Sequence, residues 1–279
     1  MPEPQNILIR HIAVALDCSA HSMASLRTAA ELARLMKADL TGIFVEDINL
    51  LRMAELPFSH EIRIYTAQPE KIDLPELERS LRLQAKSAKE ALQRIADEFM
   101  LEHSFRILRG MVPTEVITAA LEADLLVLGR SGRSPSCKKG LGSTAKKALA
   151  EGKKPLLFMR PGFSAKEDPV LVLYDGSEGS RHALSAALGL LHSGVTLNVL
   201  IVEADPAKSM EMQRELSEKV VLPDSVIEYH HLPPTDAKSL ARYIRMADSG
   251  MLVLSDRMKL PREAVHELIE EIDYPILLV

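Results

Sequence analysis

Short apolar runs alternate with segments of helical spacing along this chain, and the alternation occurs twice in the same order. HIAVALD, closing on Asp17, and VLVLYD, closing on Asp175, each open a stretch. Each is followed by apolar positions three and four residues apart, in MASLRTAAELARLM (23–36) and RHALSAALGLL (181–191). A second apolar run then follows, DLTGIFVED (39–47) or TLNVLIVEA (196–204). Farther on, DLLVLG (124–129) matches MLVLSD (251–256), and PLLFM (155–159) matches PILLV (275–279). Parallel strands need crossover helices, so this order predicts an α/β fold of two doubly wound, mainly parallel sheets with helices on both faces. The continuous Val/Ile/Leu runs suit strands covered on both sides. Between the repeats, residues 160–168 are rich in turn formers and charge and read as a linker. The expected domains are 1–162 and 163–279.

The two stretches differ in two places. Asp17 to Gly129 spans 112 positions and Asp175 to Ser255 only 80, so the first stretch carries 32 more. They fall in the region 47–100. There LPELERSLRLQAKSAKEALQRIADEF (74–99) places Leu77, Leu81, Ala85, Ala88, Leu92, Ile95 and Phe99 on one helical face, a pattern of core packing. Residues 48–70, with Met53, Leu56, Phe58, Ile62 and Ile64, leave a lid and an interface segment both open. The second difference follows the run at 124–129. RSGRSPSCKKGLGSTAKKAL is long and rich in Gly and Ser, whereas DRMKLPREAVHEL is short and has no glycine.

Composition narrows the function. The 279 residues, 47% hydrophobic, suit two modest domains. A net charge of -5 gives no global basic field for nucleic acid, and 4% aromatics are few for stacking bases. Cys18 and Cys137 are too few for a disulfide framework; they read as one packed and one exposed thiol, with a redox switch the less economical alternative. The start of the chain lacks a basic run before an apolar stretch, so a cytoplasmic setting is expected. From His182 to Ile201 there is no charged residue, but His192, Ser193, Gly194 and Asn198 divide it into a helix and a strand rather than a membrane span. His230 and His231 are adjacent, so on a strand they point to opposite faces and make a poor metal pair.

Gly129, Gly132, Gly140 and Gly142 cluster between an apolar strand and a helix expected to begin near Ser143. In open parallel sheets ligands bind outside the carboxyl ends of strands. Glycines there permit positive φ and close approach of backbone N–H groups to an anion, and the helix start adds free donors. Ser143 and Thr144 offer hydroxyls, either of which would also cap the helix. From Arg130 to Lys147 six basic residues occur with no acid, which supports a phosphate ligand. A solvated surface loop explains the same composition. No G-x-x-x-x-G-K-[ST], no G-x-G-x-x-G after the first strand and no kinase signature occurs. No catalytic set is legible either, and Asp17 reads as a hydrogen-bond acceptor.

Gly129-x2-Gly132-x9-Gly142-Ser143, with the strand ending in Asp17 and the turn GMVPTEV (110–116), resembles the ATP-binding signature of the universal stress protein family. Both stretches are similar to such domains, so the whole chain looks like a tandem member. The resemblance implies two adenine-nucleotide alpha-hydrolase-like domains. It also implies adenosine contacts at Ala15, Leu16, Asp17 and Val45, and phosphate and ribose contacts at Leu128, Gly129, Ser131, Gly132, Gly142, Ser143 and Thr144. It implies ATP as ligand, with Mg²⁺ or Mn²⁺ on its phosphates. Leu16 departs from the hydroxyl common at its position. In the second stretch Ser255, Asp256 and Met258 replace the glycines, and Asp256 would repel phosphate, so that stretch is expected not to bind ATP. PLLFM and PILLV are expected to pair antiparallel as an internal pseudo-dimer, with a further homodimer left open. The expected function is an ATP-binding regulatory module with an unidentified protein partner. A weak ATPase or nucleotide-dependent transferase, and a scaffold that binds no nucleotide, are the rivals.

Overall fold

Apolar runs and helical stretches alternate in space as the pattern requires. A computed structural model describes residues 9–62, 69–131, 140–164, 168–192, 194–220, 225–247 and 250–279. In chain order they form β1 (His11–Ala15), α1 (Ala20–Met36), β2 (Asp39–Asp47), α2 (Ile48–Glu55), β3 (His60–Ile62), β4 (Pro69–Lys71), α3 (Leu74–Phe99), β5 (His103–Gly110), α4 (Val112–Ala119), β6 (Leu125–Gly129), α5 (Ser143–Glu151) and β7 (Leu156–Met159). The chain continues with β8 (Val170–Tyr174), α6 (Glu178–Leu190), β9 (Leu197–Val202), α7 (Pro206–Lys219), β10 (Ile227–Leu232), α8 (Ala237–Ala247), β11 (Met251–Leu254), α9 (Arg262–Glu271) and β12 (Ile276–Leu278).

Strands β3 and β4 form a separate antiparallel hairpin. The other ten make one sheet in the order β10-β9-β8-β11-β12-β7-β6-β1-β2-β5. Read outward from its middle, each side repeats the same succession, β7-β6-β1-β2-β5 and β12-β11-β8-β9-β10. Every neighbouring pair is parallel except β7 with β12, which run antiparallel with Leu157 opposite Leu277. The expected pairing of PLLFM with PILLV is therefore present, and it turns two doubly wound sheets into one. It also satisfies two strand edges that would otherwise stand open.

Alternation along the strands divides the core between the two faces. Ile12 and Val14 enter one cluster with α1 and α3, while Ala13 enters the other with α4 and α5. On α3 the expected stripe is largely buried: Leu81, Ala85, Ala88, Leu92, Ile95 and Phe99 pack inward, with Leu77 half-buried at the first turn. Strand β5 gave no apolar signal because it is an edge, where charged residues such as Arg106 and Arg109 can reach solvent. The segment 182–201 comprises most of α6 and β9, and no helix among the described residues is long and apolar enough to cross a membrane.

Candidate functional site

The carboxyl ends of β1, β2 and β6 and the start of α5 surround a cavity of about 530 Å³. Ala15, Leu16 and Asp17 reach it from β1 and the turn after it, and Val45 from β2. Leu128, Gly129 and Ser131 come from β6 and its exit, and Gly142, Ser143 and Thr144 from the helix start. Gly132 lies outside the described residues, as do Arg133, Cys137, Lys138 and Lys139. Ten of the eleven residues singled out from sequence thus line one crevice.

Local chemistry explains how β1 delivers Asp17. The Asp17 Oδ1 accepts the Ser19 N–H at 2.9 Å, turning the chain sharply after the strand. The Ser19 hydroxyl accepts the Ser22 N–H at 3.1 Å and caps α1. Between them Cys18 holds φ 61°, a left-handed conformation unusual for a side chain. On the opposite wall, α5 starts differently. Its N-cap is Gly142, and among the described residues no side chain makes a cap hydrogen bond to it. Ser143 and Thr144 therefore do not cap the helix as expected but occupy its first two positions. The start of α5 thus stands beside the cavity with no capping side chain among the described residues, a favourable arrangement for an anion.

Two further expectations are corrected by the geometry. Only Gly140 of the described loop glycines has positive φ, at 83°. Gly129 is small for another reason: a Cβ there would lie 3.0 Å from the His21 Cβ, so α1 packs too close for any larger residue. The local positive charge is also committed elsewhere where it can be traced. Lys146 pairs with Glu270 at 3.4 Å, and the Lys147 ammonium donates to the Thr114 hydroxyl at 3.0 Å. Arg130 is 3% exposed and points away from the crevice. Burial lowers its pKa from the ordinary arginine value, with Asp273 opposing.

Other parts of the wall were not foreseen as site residues. Met111, Val112, Pro113 and Val116 enter from the start of α4, Asp47, Asn49 and Leu50 from α2 and its cap, and Leu81 and Gln84 from α3. GMVPTEV carried a signal for the first group. Leu81 carried none, since a cavity-facing residue on an amphipathic helix has the same spacing as a core residue. The added helix of the first half is therefore both core and pocket wall. Among the described lining residues only Asp17 and Asp47 have acidic or basic side chains, and each has an oxygen engaged locally, Asp47 Oδ1 with the Asn49 N–H at 2.9 Å. No group of three His, Cys, Asp or Glu that could hold a metal occurs among the described residues. His231 instead meets Ser209 and Gln213, and His230 meets Asn198.

The second half builds the same turn and then closes it. Asp175 Oδ1 accepts the Ser177 N–H at 2.9 Å, Ser177 caps α6, and Gly176 takes φ 75°. Here, however, Asp175 Oδ2 also accepts the Lys259 N–H at 2.6 Å, and the carboxylate is 2% exposed. Burial alone would raise its pKa, but the donors from Ser177, Lys259 and Ser180 outweigh it and hold the group below its usual range. Met258 is buried in the core of that half. Asp256, expected to repel phosphate, faces Arg262 at 3.7 Å, while the short loop places the Lys259 N–H on the buried Asp175.

A model of the universal stress protein family matches residues 8–160, more than half the chain. The chain belongs to the universal stress protein family. Solved structures share its fold over nearly their whole length. A universal stress protein from Archaeoglobus fulgidus is 16% identical, with 98% of each chain covered and a TM-score of 0.70. A functionally unknown protein from Pseudomonas aeruginosa is also 16% identical, with 99% of this chain and 94% of that one covered and a TM-score of 0.60. No curated protein sequence matches significantly. This universal stress protein thus carries an open crevice in the half that the family model recognises and a closed turn at the matching place in the other.

Proposed function

We propose that this is a tandem universal stress protein, with a domain at 1–162 that binds ATP as a regulatory signal and a domain at 163–279 that serves as its structural partner. The observation that carries the reading is the convergence on one crevice of the β1 and β2 ends with a helix start that no side chain among the described residues caps. In this reading the adenosine lies against Ala15, Leu16, Asp17 and Val45. The phosphates lie at Gly129, Ser131, Gly142, Ser143 and Thr144, with Leu128 beneath the ribose. A divalent cation, Mg²⁺ or Mn²⁺, would sit on the phosphates, supplying charge neutralisation there.

The same wall favours binding over catalysis. Its two described carboxylates each have one oxygen held by a neighbouring backbone N–H, and no described nucleophile–base pair stands beside them. Slow hydrolysis is compatible with this function and does not define it. A cytoplasmic setting fits an ATP sensor, and a protein partner would read the surface around α2.

Mass spectrometry of the denatured, purified protein should recover an adenine nucleotide near one per chain. Labelled ATP should bind saturably to the wild type, and Gly142→Glu should weaken it by roughly a hundredfold, because a carboxylate would face the phosphates. Equal binding by both proteins would remove the site from this place.

A further inference from the structure

Arg130 lies between Gly129 and Ser131, which both line the crevice, yet its side chain crosses into the other half of the molecule. Nη2 donates to the Ile269 carbonyl at 2.8 Å and approaches the Glu270 carbonyl at 3.5 Å, in the last turn of α9. A cation at that end of a helix meets both open carbonyls and the negative end of the dipole. Its backbone is equally committed. The N–H donates to Met159 on β7 at 2.9 Å, and the carbonyl accepts the Gly142 N–H, the N-cap of α5, at 2.7 Å. One residue therefore joins the exit of β6, the start of α5 and the second half. Arg262 mirrors it weakly across the seam, with Nη2 3.5 Å from the Ala150 carbonyl near the end of α5. Lys146 with Glu270 and Arg160 with Asp273, at 3.4 and 3.0 Å, extend the bridge.

We infer that Arg130 is a positioning residue for the phosphate wall: through it, α9 of the second half fixes where Gly129, Ser131 and Gly142 stand. The inference rests on the ATP reading and deepens it by giving the closed half a role in binding. Arg130 makes no hydrogen bond to β1 or β2, which face the adenosine, so its effect belongs to the phosphates alone.

Calorimetric titration of the full chain with ATP and, separately, with adenosine reads this directly. Arg130→Gln should weaken ATP about tenfold and leave adenosine within about twofold. Asp273→Asn, on the exposed surface of the second half, removes the partner of Arg160 and a carboxylate whose charge Arg130 also feels, while leaving the Arg130 hydrogen bonds to α9 in place; it should weaken ATP about threefold, again with adenosine unchanged. The Asp273 variant serves if Arg130→Gln does not fold. Parallel loss of ATP and adenosine would mark a merely structural role and overturn the inference, as would unchanged ATP binding in a folded variant. A wild-type chain that binds no ATP would defeat the nucleotide reading itself, and this inference with it. Wild-type binding with unaffected variants would defeat only the inference.

Discussion

Asp17 and Asp175 end matching strands, accept the same N–H two residues on and precede helices capped by the same residue type. One faces a cavity, whereas the other is buried under further donors, the Lys259 N–H among them. The difference lies far along each half, 112 positions after Asp17 at Gly129 and 84 after Asp175 at Lys259. The first carboxylate lines the cavity, and the short connection after β11 brings a backbone amide onto the second. The same motif thus supports a ligand wall or a core anchor according to what its neighbouring loop does.

Exchanging the roles of the two aspartates is the strongest way to break that comparison. Asp175→Asn should destabilise the protein by about 2–3 kcal/mol, because a buried charge-assisted pair of hydrogen bonds is lost and an amide group opposes a donor. ATP affinity should change little. Asp17→Asn should do the reverse, with a stability loss below about 1 kcal/mol and ATP binding weakened roughly tenfold. Thermal unfolding and calorimetric titration of both variants check this; equal destabilisation would erase the distinction.

A smaller effect separates the residues after the aspartates. Gly176→Ala should cost about 1–2 kcal/mol, since φ is 75° and the new Cβ would meet the Met212 Cε at 3.0 Å. Cys18→Ala should cost less than about 1 kcal/mol, as that turn already carries a Cβ in the left-handed region. Denaturant midpoints compare the two directly.

The smallest effect is on pH dependence. Asp175 is held below its usual pKa in the folded protein, so its contribution is fully present above the unfolded value of about 3.9 and fades as pH falls through the folded value. The wild type should lose stability on acidification below about pH 4, and Asp175→Asn should lose less over the same range. Identical acid slopes would show that the buried carboxylate is not what titrates.

Much of this was legible from the pattern of residues. Inner strands covered on both faces must be apolar, so β1, β2, β6, β7 and their counterparts stood out, and their order implied the sheet. Edge strand β5 did not, because solvent on one side relaxes that requirement. The glycine-rich exit of β6 and the aspartate of β1 pointed to the crevice. The spacing of the α3 stripe could not show which turn of that helix reaches the cavity, and of the six basic residues the three described ones, Arg130, Lys146 and Lys147, bind elsewhere. Charge near a loop in sequence says nothing about which way a side chain turns, and Arg130 turns into the opposite half.

The antiparallel seam between β7 and β12 has an evolutionary consequence. In a dimer of identical chains, any change of gene sequence appears in both copies, so an open pocket cannot be lost from one alone. Joining both copies in one reading frame lifts that constraint. Arg130 and Asp256, each just past the matched strand of its half, can then diverge, and one half is free to become the fixture that the other works against.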